Sequence, residues 1–189
     1  FNSKPYLERT SWEGWPSYKD LYVKNLEGGG WEQIAKEVRG NPQMSPKGNY
    51  IYWHSPRDTA WFTYSFLNKK TTQISNNKIS KFYDELNDRP MHPRNTGMAG
   101  WTTDDKYLLL YDRYDIWAYD PENNSEPSRL TPNGRASQTT YRYIKMDDEE
   151  RFIKKNQRLL LAGFNENDKS ASIHAIDYKS GAKPKQLAS

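Results

Sequence analysis

The sequence predicts an all-β protein, an incomplete β-propeller of about three to four blades that are each an antiparallel meander sheet. Three observations lead to this prediction. Short apolar runs alternate with clusters of turn-forming residues, and a unit of strands and turns recurs along the chain. Aromatic residues are also abundant, with seven Trp and fourteen Tyr in 189 residues. Aromatic side chains pack well on pleated surfaces, so this composition favours many short strands.

The clearest unit of the repeat runs from Trp101 to Thr131. Turns and strands alternate within it: a turn at 102–105, a strand at 107–111, a turn at 112–115, a strand at 116–119, a break at 120–124 and a strand end at 129–131. Three antiparallel strands joined by two turns form the sheet of a propeller blade. This unit is therefore the reference against which the rest of the chain is compared.

The strand at 107–111 is predicted to lie centrally in its blade. Successive side chains of a strand point to opposite faces, which puts Leu108 and Leu110 on one face and Leu109 on the other. Both faces are expected to be covered. In the turn that follows, Asp112 and Asp115 are predicted to brace the structure by accepting hydrogen bonds from backbone N–H groups.

Imperfect copies of this unit lie on either side of it. Met44 aligns with Trp101 at a spacing of 57 residues, and each is followed by a turn and an apolar strand. The strand end at Gln73 recurs at Arg129 and at Gln186, at spacings of 56 and 57 residues. The repeat starts within a unit and stops at a strand end, so we expect a fragment of a larger propeller. The expected organisation is one domain, 1–189, with a partial unit at 18–35 and fuller units at 43–75, 98–131 and 152–189.

The segments outside these units are polar and mostly irregular. The N-terminal part, 1–24, is predicted as a loop followed by a strand, and 31–38 as a short helical turn. Two insertions, 76–100 and 132–151, lengthen the repeat beyond that of a simple four-stranded blade. Within the second insertion, 139–145 alternates in side-chain character and predicts an additional strand.

The composition and the missing motifs exclude several classes of chemistry. The absence of cysteine excludes disulfides, cysteine-based zinc sites and a thiol nucleophile. Nucleophile-elbow, phosphate-loop, zinc-protease and calcium-loop patterns are all missing from the sequence. His54, His92 and His174 are isolated from one another, and the serines and histidines show no grouping of a nucleophile with a base and a third group that orients the base. We therefore expect no catalytic residue, no cofactor and no bound metal.

The charge distribution and the hydropathy of the sequence limit the binding partners that we expect. The net charge of +4 arises from interspersed Lys and Arg rather than a long basic stripe, so nucleic acid is not expected as a partner. No apolar run approaches the roughly 18 residues of a membrane span. The acidic run 147–150 is interpreted as a solvated turn, with a bound cation or substrate amine as the alternative.

Insertions between blades emerge at the rims, where binding surfaces are usually built. The side chains of the two insertions that could touch a substrate or a partner are therefore the candidate site residues. For each of them, a solvated or structural role is the alternative. The candidates are Tyr83, Asp84, Glu85, Arg89, His92, Arg94, Arg135, Arg142 and Tyr143.

Several stretches together resemble a known family. They are SPKGNYIYW and TTDDKYLLLYDRYDIWAYD, the insertion FYDELNDRP with GMAGW after it, and TYRYIK. These stretches resemble blades of the propeller in the prolyl oligopeptidase family, including its dipeptidyl-peptidase branch, and the wider Tol-B-like propellers. The insertions are most similar to those of large secreted or periplasmic peptidases from Bacteroides-type bacteria. The resemblance covers about residues 21–187.

The resemblance implies a non-catalytic role. In that family the catalytic Ser, Asp and His lie in an α/β-hydrolase domain, no part of which occurs in this sequence. The propeller covers the active site and restricts entry to peptides. The resemblance thus implies a gating and scaffolding segment, located in the periplasm or secreted, whose partners are the remaining blades, the hydrolase domain and peptides. Until those blades are supplied, the two end sheets are expected to associate with a second copy.

Two other functions remain open. Exposed aromatic side chains could stack on sugar rings in a carbohydrate-binding module, or the blades could dock another protein in the Tol-B manner. The exposure of Trp12, Trp15, Trp31 and Trp53 distinguishes these alternatives. An exposed coplanar cluster favours glycans, whereas burial between blades favours the peptidase or scaffold function.

Overall fold

The computed structural model describes residues 1–178 and 182–189, and these residues form an all-β protein with two short helices. The predicted unit 152–189 thus includes three residues, 179–181, that lie outside the described residues. The helices are α1, Leu7–Glu13, and α2, Gly134–Ser137. The strands are β1, Tyr18–Lys24; β2, Trp31–Arg39; β3, Gln43–Met44; β4, Tyr50–Ser55; β5, Ala60–Ser65; β6, Lys70–Gln73; β7, Met98–Trp101; β8, Leu108–Tyr111; β9, Ile116–Tyr119; β10, Ser128–Arg129; β11, Thr139–Ile144; β12, Arg158–Asn165; β13, Ala171–Asp177; and β14, Lys185–Ala188.

The strands form four antiparallel sheets, none of which is closed. Sheet 1 contains β1 and β2, sheet 2 contains β3 to β6, sheet 3 contains β7 to β10, and sheet 4 contains β11 to β14. In each four-stranded sheet the strands follow one another in chain order. Each of these sheets is therefore a meander in which every strand pairs with its neighbour in the sequence.

Each sheet packs against the next one along the chain. Sheets 1 and 2 bury Leu21 and Val38 against Trp53 and Tyr64. Aromatic side chains dominate the core between sheets 2 and 3: Tyr52, Trp61, Trp101, Trp117 and Tyr119. Aliphatic side chains are more prominent between sheets 3 and 4: Leu109, Ile116, Leu159, Leu161 and Ile176. The hydrophobic core is thus divided into three clusters, one at each sheet-to-sheet interface.

Strand β8 confirms the predicted division of its side chains between two faces. Leu108 and Leu110 belong to the cluster shared with sheet 2, whereas Leu109 and Tyr111 belong to the cluster shared with sheet 4. All three leucines are fully buried. Alternation along a strand that is covered on both sides explains why its residues form a continuous apolar run.

Two copies of the 57-residue repeat share equivalent hydrogen bonds as well as similar sequences. The Tyr50 N–H donates to Ser45 Oγ at 3.0 Å, and the Tyr107 N–H donates to Thr102 Oγ1 at 2.9 Å. In each copy the N–H of the hydroxyl residue also donates to the tyrosine carbonyl, at 2.9 Å in both cases. Asp105 joins the two turns, because its carboxylate accepts a hydrogen bond from Ser45 Oγ at 2.6 Å.

Two local predictions were wrong. Residues 7–13, predicted as loop, form helix α1, in which Arg9 and Glu13 make an ion pair at 3.1 Å one turn apart. Residues 31–38, predicted as a helical turn, belong to strand β2, because pairing with β1 satisfies their backbone and buries Val38. The strand predicted at 139–145 is confirmed as β11, and it pairs with β12 in sheet 4.

Candidate functional site

Three of the candidate residues, Glu85, Arg135 and Arg142, lie at the end of sheets 3 and 4 where the β8–β9 turn, 112–115, lies. Long-range charged contacts connect the segments there. Arg135 Nη2 lies 2.6 Å from Glu85 Oε1, which joins the two insertions. Arg113 Nη2 lies 2.7 Å from Glu166 Oε2, and the Tyr114 hydroxyl donates to the same oxygen at 2.7 Å. This end of the two sheets is therefore tied together by paired charges.

Asp112 organises the turn, as predicted. Its Oδ1 accepts hydrogen bonds from the N–H groups of Tyr114 and Asp115, at 2.8 and 2.5 Å. Its Oδ2 accepts from Ser80 Oγ at 2.5 Å and from the Trp117 indole at 3.0 Å. The carboxylate is almost fully buried. Its four hydrogen bonds make Asp112 a structural brace between the first insertion and sheet 3.

Asp115 braces the other side of the turn. Its Oδ1 accepts hydrogen bonds from Thr131 Oγ1 at 3.0 Å and from the Gly134 N–H at 2.9 Å. Burial raises the pKa of this carboxyl, while the hydrogen bond from Thr131 opposes that rise. A Cβ built on Gly134 would approach Asp115 Oδ1 to 2.4 Å, so the start of α2 fits only a residue without a side chain.

Replacing Asp112 with Ala is expected to destabilise the chain by about 3 kcal/mol, because four buried donors lose their acceptor. Chemical denaturation measures this loss as a lower midpoint at an unchanged slope. The matched control is Asp148→Ala, since Asp148 is exposed in a turn. Equal midpoints for the two variants would show that Asp112 does not brace the fold.

Several predicted site residues lie close together in the structure, where they contact one another. The charge of Arg135 is neutralised by Glu85, and its guanidinium lies 5.0 Å from the centre of the Tyr114 ring. Tyr83 forms a β-bridge with Asn95, and the Asp84 N–H donates to the Arg94 carbonyl at 2.8 Å. Their backbones thus shape a small hairpin within the first insertion.

Arg142 and Tyr143 are candidate residues that belong to the strand predicted at 139–145. Both lie within strand β11, because the alternation of 139–144 matches its pairing with β12. Arg142 covers the Tyr111 ring at 4.6 Å and donates to the Arg113 carbonyl at 3.1 Å. Burial lowers the pKa of Arg142. Its role is therefore to hold sheet 4 against the β8–β9 turn.

Arg89 and His92 are the candidates that line an open groove. The groove has a volume of about 730 Å³ and lies between the end of helix α1 and the first insertion. Trp12, Glu13, Arg39, Pro90 and Met91 complete its walls. An exposed indole next to charged side chains offers both an apolar face and polar contacts to a ligand.

The acidic run 147–150 forms a turn, in agreement with its interpretation. Asp147 Oδ1 accepts a hydrogen bond from the Glu149 N–H at 2.9 Å, and Glu150 Oε2 accepts one from the Gln157 side chain at 3.1 Å. Within 1–178 and 182–189, no three His, Asp or Glu side chains are grouped as metal ligands. In the same ranges, no helix is long and apolar enough to cross a membrane.

One serine and one histidine lie close together in the structure. Ser172 Oγ lies 2.8 Å from His174 Nε2, so a hydroxyl and an imidazole do form a pair. Their spacing in the sequence, two residues apart, places both on one face of β13. His174 Nδ1 is buried and has no partner among the described residues, so no third group orients the ring. The pair lacks the orienting member of a nucleophilic triad.

The four tryptophans chosen to distinguish the alternatives divide into two groups. Trp12, Trp15 and Trp31 are 85%, 81% and 69% exposed, whereas Trp53 is only 5% exposed. Trp53 lies between sheets 1 and 2, as the propeller interpretation requires. The three exposed indoles lie near the N-terminus and are available to partners.

Comparisons with known proteins do not assign a family. No protein-family model and no curated protein matches the chain. The chain therefore matches no catalytic family.

Proposed function

We propose that this chain is a non-catalytic segment of a β-propeller that gates and scaffolds the α/β-hydrolase domain of a serine peptidase of the prolyl oligopeptidase family. The observation that carries the proposal is the succession of meander sheets, each packed face to face on the next. Sheets 2 and 3 are each covered on both faces, by different neighbours. A two-sheet sandwich covers only one face of each sheet, whereas the blades of a propeller are covered on both.

A second observation supports the radial arrangement. The first strands of sheets 2, 3 and 4 border a common space of about 400 Å³, which is lined by Met44, Trp101 and Tyr143 among others. First strands that converge in this way form the inner wall of a propeller. Lys145, Asp148 and Arg151 add charged groups to the same space.

In the proposed function, this inner space belongs to the passage that peptides use to reach the hydrolase domain. Charged side chains beside an apolar wall can select peptides by their charge and size. The contribution of the chain is steric, because the passage excludes folded proteins and the sheets hold the hydrolase domain in place. Its proposed location is the periplasm or the cell exterior, where the similar peptidases work.

The proposal is tested with a fluorophosphonate probe, which labels activated serines. The natural polypeptide that contains the chain, captured from its source cells with an antibody against residues 1–189, is expected to be labelled. The isolated chain is expected to stay unlabelled, because His174 Nδ1 has no orienting partner within residues 1–178 and 182–189. An unlabelled natural polypeptide would contradict the peptidase function.

The Ser172→Ala variant completes this test. Labelling of the isolated chain that disappears in Ser172→Ala would show that the Ser172–His174 pair is itself active. The chain would then not be a non-catalytic segment. Heat-denatured samples control for unspecific labelling.

A carbohydrate-binding function is the second candidate, and the exposure of Trp12, Trp15 and Trp31 favours it. Indole faces stack on the apolar faces of sugar rings. Retardation of the chain in polysaccharide-containing gels, lost in Trp12→Ala, would support this candidate. A Tol-B-like docking function would instead leave migration in such gels unchanged.

A further inference from the structure

A cavity opens between sheets 3 and 4 at the end away from the β8–β9 turn, apart from the groove and the inner passage. Its volume is about 480 Å³. This volume falls within the roughly 300–1,000 Å³ of pockets that bind small molecules. Both sheets and their connections contribute to its walls, which include Tyr107, Ala118, Ser128, Leu130, Asn156 and Tyr178.

The apolar wall residues lie on the faces that the two sheets turn toward each other. Ala118 and Leu130 belong to the hydrophobic cluster between sheets 3 and 4. Tyr107 of sheet 3 and Tyr178, which follows β13 of sheet 4, pack against the same cluster. Both tyrosines are only half-buried, so part of each side chain is accessible to a ligand. Tyrosine rings provide flat apolar faces, and these walls therefore favour an aromatic ligand.

Hydrogen bonds within the chain fix the backbone around the cavity. The Thr103 N–H donates to the Ile153 carbonyl at 3.0 Å, which ties the turn before β8 to the segment before β12. The Tyr178 N–H donates to the Gln157 carbonyl at 2.8 Å. Small-molecule sites are usually formed before the ligand arrives, because ordering a loop on binding reduces the affinity. The walls of this cavity meet that condition.

Two lysines give the cavity a positive charge. Lys106 and Lys155 line it, and the Lys106 Nζ lies 5.4 Å from the centre of the Tyr107 ring. Within residues 1–178 and 182–189, neither lysine takes part in an ion pair. Asp104, the acidic residue among the described wall residues, is paired with Lys47. An anionic group of a ligand would therefore be attracted by two cations, while the nearby carboxylate is already compensated.

We propose that this cavity binds a small aromatic carboxylate. The ring of the ligand lies against the apolar wall that contains Tyr107 and Tyr178. Its carboxylate stays beside the exposed Lys106 and Lys155, where water still solvates it and no charge has to be buried. The site is independent of the proposed peptidase function, because it depends only on sheets 3 and 4 and their connections.

The test is isothermal titration calorimetry of the chain with 1-naphthoate. The neutral analogue is 1-naphthalenemethanol, and the cationic analogue is 1-naphthalenemethylamine. The carboxylate is expected to bind saturably at one site per chain and more tightly than the alcohol, and the amine is expected to bind most weakly. The proposal is overturned if 1-naphthoate shows no saturable binding up to its solubility limit, or if the alcohol binds as tightly as the carboxylate.

One variant locates the binding site by filling the cavity. Ser128 is the cross-strand partner of Ala118, so both side chains lie on the same face of sheet 3. Ser128→Leu places a larger side chain in the wall and is expected to abolish saturable binding of 1-naphthoate. A Ser128→Leu chain that melts cooperatively and binds 1-naphthoate as the parent does would overturn the proposal.

A double variant tests the charges without changing the apolar wall. Lys106→Gln combined with Lys155→Gln is expected to weaken 1-naphthoate binding by about fivefold and to leave binding of the alcohol unchanged. The matched control combines Lys70→Gln with Lys78→Gln, which removes two exposed charges away from the cavity and is expected to leave both affinities unchanged. Equal 1-naphthoate affinities in the two double variants would overturn the proposal.

Discussion

Leu109→Asp is expected to unfold the chain. Leu109 is fully buried in strand β8, where it packs in the cluster between sheets 3 and 4. An aspartate there would be a buried carboxylate with no basic partner, which costs several kcal/mol in addition to the lost apolar contacts. Domains of this size have a total stability of only about 5–15 kcal/mol. Circular dichroism should therefore show a large loss of the cooperative thermal transition.

The matched control for this variant is Leu67→Asp, because Leu67 is 89% exposed in the β5–β6 turn. A polar residue at such a position changes stability by about 0.5 kcal/mol or less. We expect a melting curve like that of the parent chain. If Leu109→Asp also melts like the parent chain, β8 does not lie between two covered faces.

The sequence predicted the interior of sheets 2 and 3 well, because local signals and tertiary packing agree there. The apolar run that contains Leu109 is long enough to show a strand covered on both sides, and Asp112 and Asp115 occur where a turn needs acceptors. Helix α1 was missed because its segment, 7–13, is short, amphipathic only in part and has no buried residue. Contacts outside the helix hold it, among them the Tyr18 hydroxyl donating to Glu13 at 2.7 Å.

The candidate site was predicted less well than the fold. The sequence identified charged residues in the insertions, but it could not show that Glu85 and Arg135, 50 positions apart, neutralise each other. The pairing of Ser172 with His174 was detectable in principle, since alternate residues of a strand share a face.

Self-association of the isolated chain is the second expectation with a large effect. The face of sheet 4 turned away from sheet 3 carries Leu160, Ala162 and Ile173. Across β12 and β13, Ala162 pairs with Ile173 and Leu160 pairs with Ala175. On the same face Phe164 remains 42% exposed. The comparable faces of sheets 2 and 3 are each covered by a neighbouring sheet. The outer face of sheet 4 is therefore expected to be covered by a second copy of the chain.

The other end of the stack differs from the sequence-based expectation. Leu21 and Ile34 pack toward sheet 2 rather than outward. Tyr22 and Gln33 are hydrogen-bonded side chain to side chain at 3.1 Å on the sheet surface, and the free edge of β1 is paired with Asn2. The expectation of association therefore applies to sheet 4 alone.

Light scattering over a concentration series tests the central claim, that the four sheets form an open stack of blades whose last face requires a partner. We expect the measured mass to rise above the monomer mass of 22.2 kDa with concentration. Phe164→Lys should shift this rise to higher concentration, because a charge then occupies the face, whereas Leu67→Lys should not. A folded chain that stays at 22.2 kDa at every concentration would contradict the open-stack account.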